Sequence, residues 1–496
     1  MTAYLRPGVF VEETLNALPP ALGTNAQSVA AFIGAIDRGP LDVTAITSWS
    51  QFTNLYGGYG NNNLVHLAVL LFFSNGGGTC YVRRTIGAGA VAASRSFNDR
   101  ADSPASTLKI SAANPGVWGN TLNVSIQGST SGTGVDIIVY LNGTDNANIV
   151  EKFTDLTMGV SDARYLVSVV NGQSNYISAQ DLNSAATGAA RNPVVATNQY
   201  LASGSDGAAV SAVSISTDVI AFDVVHNSLI LNAPGVTDAS VVANLLDYAA
   251  NRGDVFVIID PIEGNVATQI ALTGTYTSSS YGAVYYPKLT IKDPTTTVSG
   301  VTKTVNPGGA IAGIYASTDA ARGVFKAPAG LATRIAGAIS VPTLTNSELD
   351  SMNSAGAAVN AIKYVTGSGI VVMGSRTLNP TYVDKYVPVR RTLIYLRKSM
   401  TDLTQFAIFE PNDEKLWRRI NASLDGFLRD FWRQGGLRGS SPTQAFFVKC
   451  DAVNNPQSSI DNGYVNIEVG VALQRPAEFV VIKISQFDGG ATVTVA

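Results

Sequence analysis

The stretch from Leu229 to Pro261 constrains the fold of this chain more than any other. Leu229-Ile230-Leu231-Asn232 reads as a strand running into the loop Ala233-Pro234-Gly235. Asp238 to Ala250 reads as a helix, and Val255-Phe256-Val257-Ile258-Ile259 as a continuous apolar strand ending at Asp260-Pro261. Strand, helix and fully apolar strand together spell a βαβ unit, whose strands lie parallel and are covered on both faces.

The rest of the chain sorts around that unit. Residues 1 to about 25 read as an extended arm, because Pro7-Gly8 turns into the β-formers Val9-Phe10-Val11 and Pro19-Pro20 prevents a helix. Ser28 to Ile36 reads as a buried strand, Leu64 to Asn75 as a helix ended by Gly76-Gly77-Gly78, and Cys80 to Arg84 as a strand. From about residue 87 to 205 short β runs separated by turn clusters replace the helical patterns, which signals an all-β module. Further on, Asn346 to Asn360 reads as helix plus loop, Ile370 to Gly374 as a strand, Arg390 to Lys398 as a helix and Gln405 to Asn412 as a strand closing on a helix cap. Asn412 or Asp413 would cap a long helix. Its apolar stripe is Leu416, Trp417, Ile420, Leu424, Phe427, Leu428 and Phe431, and Gly435-Gly436 stops it.

Charge and sulfur content exclude several classes. Only 14% of the 496 residues are charged and the net charge is -3, so a surplus of cations for nucleic acid is missing. Two cysteines, Cys80 and Cys450, and two histidines, His66 and His226, supply neither a disulfide scaffold nor a four-cysteine zinc site. No metal and no cofactor are expected. The N-terminal residues lack the apolar core of a signal peptide, and the run Leu64 to Phe73 is too short to span a bilayer. The expectation is a chain made in a cytoplasm, or exported without a signal of that type, and not inserted in a membrane. A surface this poor in charge fits burial in an assembly, or simply a large domain with a neutral surface.

Catalytic motifs are missing from the sequence. It contains no phosphate-binding G-x-x-x-x-G-K-[ST], no G-x-G-x-x-G after a strand, no H-E-x-x-H and no G-x-S-x-G. His226 with Asp206 or Asp223 could be nominated for a Ser-His-Asp enzyme, but no local signature selects a nucleophile. Asp260-Pro261 lies where α/β enzymes place ligands, and is equally an ordinary turn. The sequence therefore assigns no catalytic residue. Charge placement is the unusual feature. Lys385 to Arg438 carries eleven Lys or Arg against six Asp or Glu. On the long helix Lys415, Arg418, Arg429 and Arg433, with Arg419 at the edge, lie opposite the apolar stripe. Such a face is either simply solvated or a track for an acidic protein partner.

The chain resembles contractile tail sheath proteins of bacteriophages and related contractile injection particles. The resemblance rests on Tyr4-x-x-Pro-Gly-Val-x-x-Glu-Glu, Pro115-Gly116-x-Trp118-Gly119-Asn120-x-Leu122-x-Val124 and Leu201-x-Ser-Gly204-x-Asp206-Gly207. It continues through Tyr285-Tyr286-Pro287, Ala312-Gly313-Ile314-Tyr315-Ala316-x-x-Asp319 and Arg322-Gly323-Val324-x-Lys326-Ala327-Pro328-Ala329. Last come Arg376-Thr377-Leu378, Val389-Arg390-Arg391, Phe409-Glu410-Pro411-Asn412, Leu416-Trp417 and Pro476-Ala477-Glu478-Phe479. Met373-Gly374-Ser375 stands where the family more often has Trp-Gly-Ala.

The resemblance implies an α+β multidomain protein. An inner α/β sheath domain would come from both chain ends (26–88 and 346–480). A β-rich outer module (89–205) and a subtilisin-like α/β domain without its triad (206–345) would be inserted between them, with arms at 1–25 and 481–496. It implies a structural subunit rather than an enzyme, polymerised helically around a tail tube and contracting to drive the tube through a cell envelope. The partners would be further copies of the chain, the tail tube protein, and baseplate and tail terminator proteins, in a virion tail or contractile particle assembled in the host bacterial cytoplasm. Lys415, Arg418, Arg419, Arg429 and Arg433 would touch the tube. Tyr4, Val9, Phe10, Val11 and Glu12, and Thr492, Val493, Thr494 and Val495, would exchange strands between subunits. The competing readings are a cytosolic hydrolase with a degenerate subtilisin-like site and a generic structural shell subunit.

Overall fold

A computed structural model describes residues 28–478, except Asn61, Ser131, Thr133, Ala355, Ala357 and Tyr382. Its centre is an eight-stranded sheet. The first strands are β1 (Val29–Ala35), β2 (Thr44–Ile46) and β3 (Cys80–Thr85). After a long insertion come β4 (Leu229–Asn232), β5 (Val255–Ile259), β6 (Gly282–Tyr286), β7 (Val359–Val365) and β8 (Gly369–Val372). The spatial order is β8-β7-β6-β5-β4-β1-β3-β2. From β7 to β3 every pairing is parallel, and an antiparallel strand closes each edge.

The side chains explain why this sheet is covered on both faces. In β5, Phe256 and Ile258 enter one core while Val255, Val257 and Ile259 enter the other, the period-two alternation of a strand with two buried sides. Helices α1 (Leu64–Ser74) and α3 (Gly308–Arg322) cover the first face and α2 (Ala239–Arg252) the second. Asp238 caps α2, its carboxylate accepting from the Ser240 and Val241 amides, and Gly253 ends it in the left-handed conformation.

The sheet corrects the expected division of the chain. Residues 26–88 do not pair with the C-terminal third as an inner domain of their own. β1 lies between β3 and β4, so these residues complete the sheet expected of 206–345. The boundary at 345/346 also fails, because β7 and β8 extend the same sheet. Asn346–Met352 is a helix with a Thr345/Glu348 capping box, as expected, but the loop after it gives way to a strand at Val359.

Between β3 and β4 lies a mainly β module that, unlike the all-β expectation, also contains a helix at Leu166–Gln173. A three-stranded sheet (94–98, 106–112, 177–181) and a four-stranded one (122–128, 135–141, 149–156, 196–200) share one core around Leu108, Ile110, Val124, Ile126, Ile137 and Val139.

The C-terminal unit contains α4 (Val387–Thr404), α5 (Glu414–Arg433) and the antiparallel pair β9 (Phe446–Lys449) and β10 (Glu468–Val471). All seven residues of the apolar stripe on α5 are buried, and Asp413 is its N-cap. Gln405 to Asn412 is not a strand. α4 runs straight into a turn of 3₁₀ helix at 405–407, since no neighbouring strand offers it a ladder. Cys80 and Cys450 are unpaired and lie in separate cores.

Candidate functional site: the basic helix and the Glu478 clamp

Turning about 100° per residue places Lys415, Arg418, Arg419, Arg429 and Arg433 on one face of α5. Four of the five are exposed and Arg429 is half-buried. The face is not purely cationic, as the sequence reading had it. Glu414 and Asp425 border it on one side and Asp430 on the other. They pair with Arg418, Arg429 and Arg433 respectively. The guanidinium of Arg419 lies over the Phe406 ring at 4.1 Å. The result is a cationic stripe with acidic margins, and Ala422 and Gly426 keep its middle low. The acidic margins were legible as i,i+4 and i,i+3 pairs in the sequence.

The expected strand-exchange residues Tyr4, Val9, Phe10, Val11, Glu12, Thr492, Val493, Thr494 and Val495 lie outside the described residues. What the structure does show is how Glu478, the last described residue, is held. Glu478 is held in a fork by Arg376, with Nε donating to Oε1 at 2.6 Å and Nη2 to Oε2 at 2.8 Å. The Tyr386 hydroxyl adds a third bond at 3.1 Å. Burial pushes the Glu478 carboxyl up, but the bonds from Arg376 and Tyr386 outweigh it and hold it below its ordinary value. Arg376 is itself fixed: Nη1 donates to the Asn353 carbonyl, and the Asn360 side chain bonds both its backbone N–H and C=O.

A second ion pair lies deeper. Arg391, on α4, forks onto Asp319 at the end of α3, and its guanidinium stacks over Tyr315 at 4.5 Å. Tyr315 in turn shares a 2.6 Å hydroxyl–hydroxyl bond with Tyr285 on β6. α4 therefore begins in the central core, through Val387 and Ile394, and ends in the C-terminal core, through Leu396. It joins the two units as one rod.

The joint to the β module is built in a similar way. Arg84, fully buried at the end of β3, donates to the carbonyls of Ile36, Asp37, Gly39 and Pro115. Asp206 accepts from the Val117 amide, and the Asn120 side chain bonds both the N–H and C=O of Gly204. Gly116 has φ of 137°, and a Cβ there would meet Asp206 and the Asp37 carbonyl at 3.0 Å, so no other residue suits the crossing.

The nominated catalytic residues do not converge. Asp206 serves that joint, Asp223 accepts from Tyr248, and His226 is exposed on the turn before β4. Asp260 is fully buried and fastens the α3 N-terminus, accepting from the amides of Gly308 and Gly235. His66 is buried against Phe52 and held neutral by that burial. Among the described residues no cluster of His, Cys, Asp and Glu could hold a metal, and no helix is long and apolar enough to cross a membrane.

Residues 208–378 match the family model for the phage tail sheath protein central domain, and residues 382–487 the model for the phage tail sheath C-terminal domain. The chain belongs to the phage tail sheath family. The tail sheath protein of Vibrio phage KVP40 is 27% identical over 179 residues, covering 35% of this chain. That alignment spans a quarter of the curated relative's length.

Solved structures share the fold. A chain of the anti-feeding prophage baseplate aligns over 98% of this chain and 99% of its own, with 21% identity and a TM-score of 0.59. A chain of the PVC sheath complex, an extracellular contractile injection system in its contracted state, aligns over 98% and 99%, with 23% identity and a TM-score of 0.58. A sheath tail protein from Listeria innocua aligns over 87% and 90%, with 14% identity and a TM-score of 0.62. In this tail sheath family member, seven of the eleven short motifs that carried the resemblance lie at the three contacts just described. These seven supply one side of a contact whose other side lies far away in sequence, such as Arg376 with Glu478 or Asp319 with Arg391.

Proposed function

We propose that this chain is the structural subunit of a contractile tail sheath, polymerising helically around a tail tube and contracting to drive that tube through a target envelope. The observation that carries the reading is the β9–β10 pair in a chain of this family. Among the described residues, Phe446–Lys449 pair only with Glu468–Val471, so this two-stranded sheet, packed against α5, leaves the other edge of Phe446–Lys449 without a strand. Strands contributed by the arms of neighbouring subunits would complete it, giving backbone links that tolerate rotation. The Glu478 clamp would anchor a C-terminal arm at its start. The cationic stripe of α5 suits an acidic tube surface, because many weak exposed pairs hold together and release in sequence.

On this reading the central sheet is a subtilisin-like α/β layer without a triad, and the β module is an outward-facing insertion. The partners are further copies, the tube protein, and baseplate and terminator proteins, in a virion tail or contractile particle assembled in bacterial cytoplasm. No catalytic role is assigned. Purified full-length chain should form long helical tubes in negative stain. Deleting residues 1–20 or 488–496 should leave the circular dichroism nearly unchanged and abolish long tubes. Tubes of normal length from either truncation would refute strand exchange.

A further inference from the structure

Among the described residues one large apolar side chain stands out by its exposure. Phe409, in the turn between α4 and α5, is 89% exposed and adopts φ of 65°, in the left-handed region that a bulky residue avoids. The turn is not slack. The Asn412 side chain donates to the Tyr464 carbonyl and accepts from the Trp417 indole, and the Glu410 amide bonds the Ala407 carbonyl. A rigid loop thus holds a large aromatic ring in water at the expense of backbone strain. Rigid aromatic anchors of this kind are what interfaces use.

The same subunit carries a matching recess. A groove of 470 Å³ runs between the 325–330 segment, Met373, Gly435 at the end of α5, and the 474–478 segment. Its walls are largely apolar, including Phe325, Ala327, Met373 and Pro476. About 150 Å³ is enough to hold a benzene-sized ring. Lys326, whose ammonium donates to the Ala327 and Ala329 carbonyls, and Arg475 line it as cations, and its carboxylate, Glu478, is held by Arg376 and Tyr386. Glu410, exposed beside Phe409, has the complementary sign.

Position decides between a contact within one chain and a contact between two. Phe409 precedes the first turn of α5, whereas Gly435 of the groove follows its last. The helix has 20 residues, so knob and groove stand roughly 30 Å apart on one subunit. Two complementary patches at opposite ends of one rod make a head-to-tail contact, which extends as a filament wherever the rotation between copies does not close a ring. We propose that Phe409 of one subunit seats in the groove of the next, with Glu410 facing Lys326 and Arg475. This rests on the sheath reading and adds to strand exchange a second, side-chain link between copies.

The decisive experiment uses the full-length F409C/M373C variant. The native thiols are buried, so background coupling is low. Mild oxidation of its polymers should give a ladder of disulfide-linked chains on a non-reducing gel, and either single variant should give none. Phe409→Ala should raise the critical concentration for polymerisation about tenfold or more. Glu410→Arg should weaken assembly, and Arg475→Glu should restore it. Polymers of the double-cysteine variant that yield no ladder overturn the proposal and leave the sheath reading standing. A cross-link within the unpolymerised chain between Met373→Cys and Phe479→Cys, without any ladder, gives the groove to the chain's own tail and overturns it too. A wild-type chain that never polymerises overturns both.

Discussion

Replacing Arg376 with alanine should loosen the C-terminal arm at its root without unfolding the subunit. Three bonds are lost at once: two to the Glu478 carboxylate, at 2.6 and 2.8 Å, and one to the Asn353 carbonyl, at 2.7 Å. Hydrogen bonds to charged groups each contribute about 1.5–3 kcal/mol, and bonds sharing one guanidinium do not add fully. Both side chains are mostly covered, at 10% and 22% exposure, so solvent screening is limited. A net loss of about 3 kcal/mol corresponds to roughly a hundred-fold rise in local opening. The assay follows from the residue that is clamped. A glutamate-specific protease cuts after Glu478, and in the wild type that site is held closed. Under conditions where opening equilibrates before cleavage, release of residues 479–496 should accelerate roughly a hundred-fold in Arg376→Ala and by an intermediate factor in Arg376→Lys, which keeps the charge without the fork. Amide exchange at 474–478 should rise in parallel, while the β1–β6 core keeps its protection. Cleavage within threefold of wild type would show that the arm root is held by something other than this pair. The sign with pH is also fixed. The carboxyl lies below its ordinary value, so the clamp is fully present above the unfolded glutamate range and lost only as pH falls through the lower folded value.

Asp319→Ala should be the more damaging change, because it leaves Arg391 at 1% side-chain exposure without its acid. A loss of about 3–5 kcal/mol, read from the urea midpoint, is expected, and the double replacement Asp319→Leu with Arg391→Met should cost clearly less. Asp260 supplies a pH test of opposite sign. Burial, opposed by bonds from the Gly235 and Gly308 amides and the Asn232 side chain, raises its carboxyl to about 6. Folding therefore favours the protonated form, and stability should rise as pH falls from 7.5 to 5. Asp260→Asn should flatten that slope in thermal melts, and an unchanged slope would assign it to another group. Reversing Arg418, Arg429 and Arg433 to Glu turns three favourable helix pairs into repulsive ones on an exposed face, so the fold should survive with a slightly lower melting temperature. Tube-filled particles at wild-type yield from that variant would reduce the stripe to a solvated face.

The elements legible in the sequence were those whose signal is local. The α5 stripe repeats within a single helix, its cap lies one residue before it, and the βαβ unit occupies some thirty consecutive residues, so pattern alone located each. Strand order is not local. β1 pairs Val29 with Leu229, two hundred residues away, and nothing in either strand's composition names the other. Both are simply apolar on two faces. The expected partition into 26–88 and 206–345 failed for that reason. Gln405 to Asn412 misled in the opposite direction. Phe406, Ile408 and the following Glu-Pro mimic a strand ending in a turn, yet a strand exists only where a neighbour supplies the ladder.

The site shows the same boundary between local and distant information, with a functional consequence. The cations of α5 and their acidic margins could be read from spacing, because both partners sit on one helix. Arg376 with Glu478, and Asp319 with Arg391, could be noted only as unexplained fragments of separate motifs. Such fragments need not mark ligand contacts. Here they close joints: Arg84 and Asn120 toward the β module, Arg391 through α4 toward the C-terminal unit, Arg376 onto Glu478, the last described residue. An array that converts subunit rearrangement into displacement of a tube needs subunits that do not flex within themselves, since any give at α4 would absorb motion meant for the tube. Buried, forked guanidinium contacts suit that demand better than apolar contact alone, because they fix direction as well as distance. On the strand-exchange proposal, compliance would then be left to the two-stranded β9–β10 sheet and to backbone ladders between chains, which can turn without breaking.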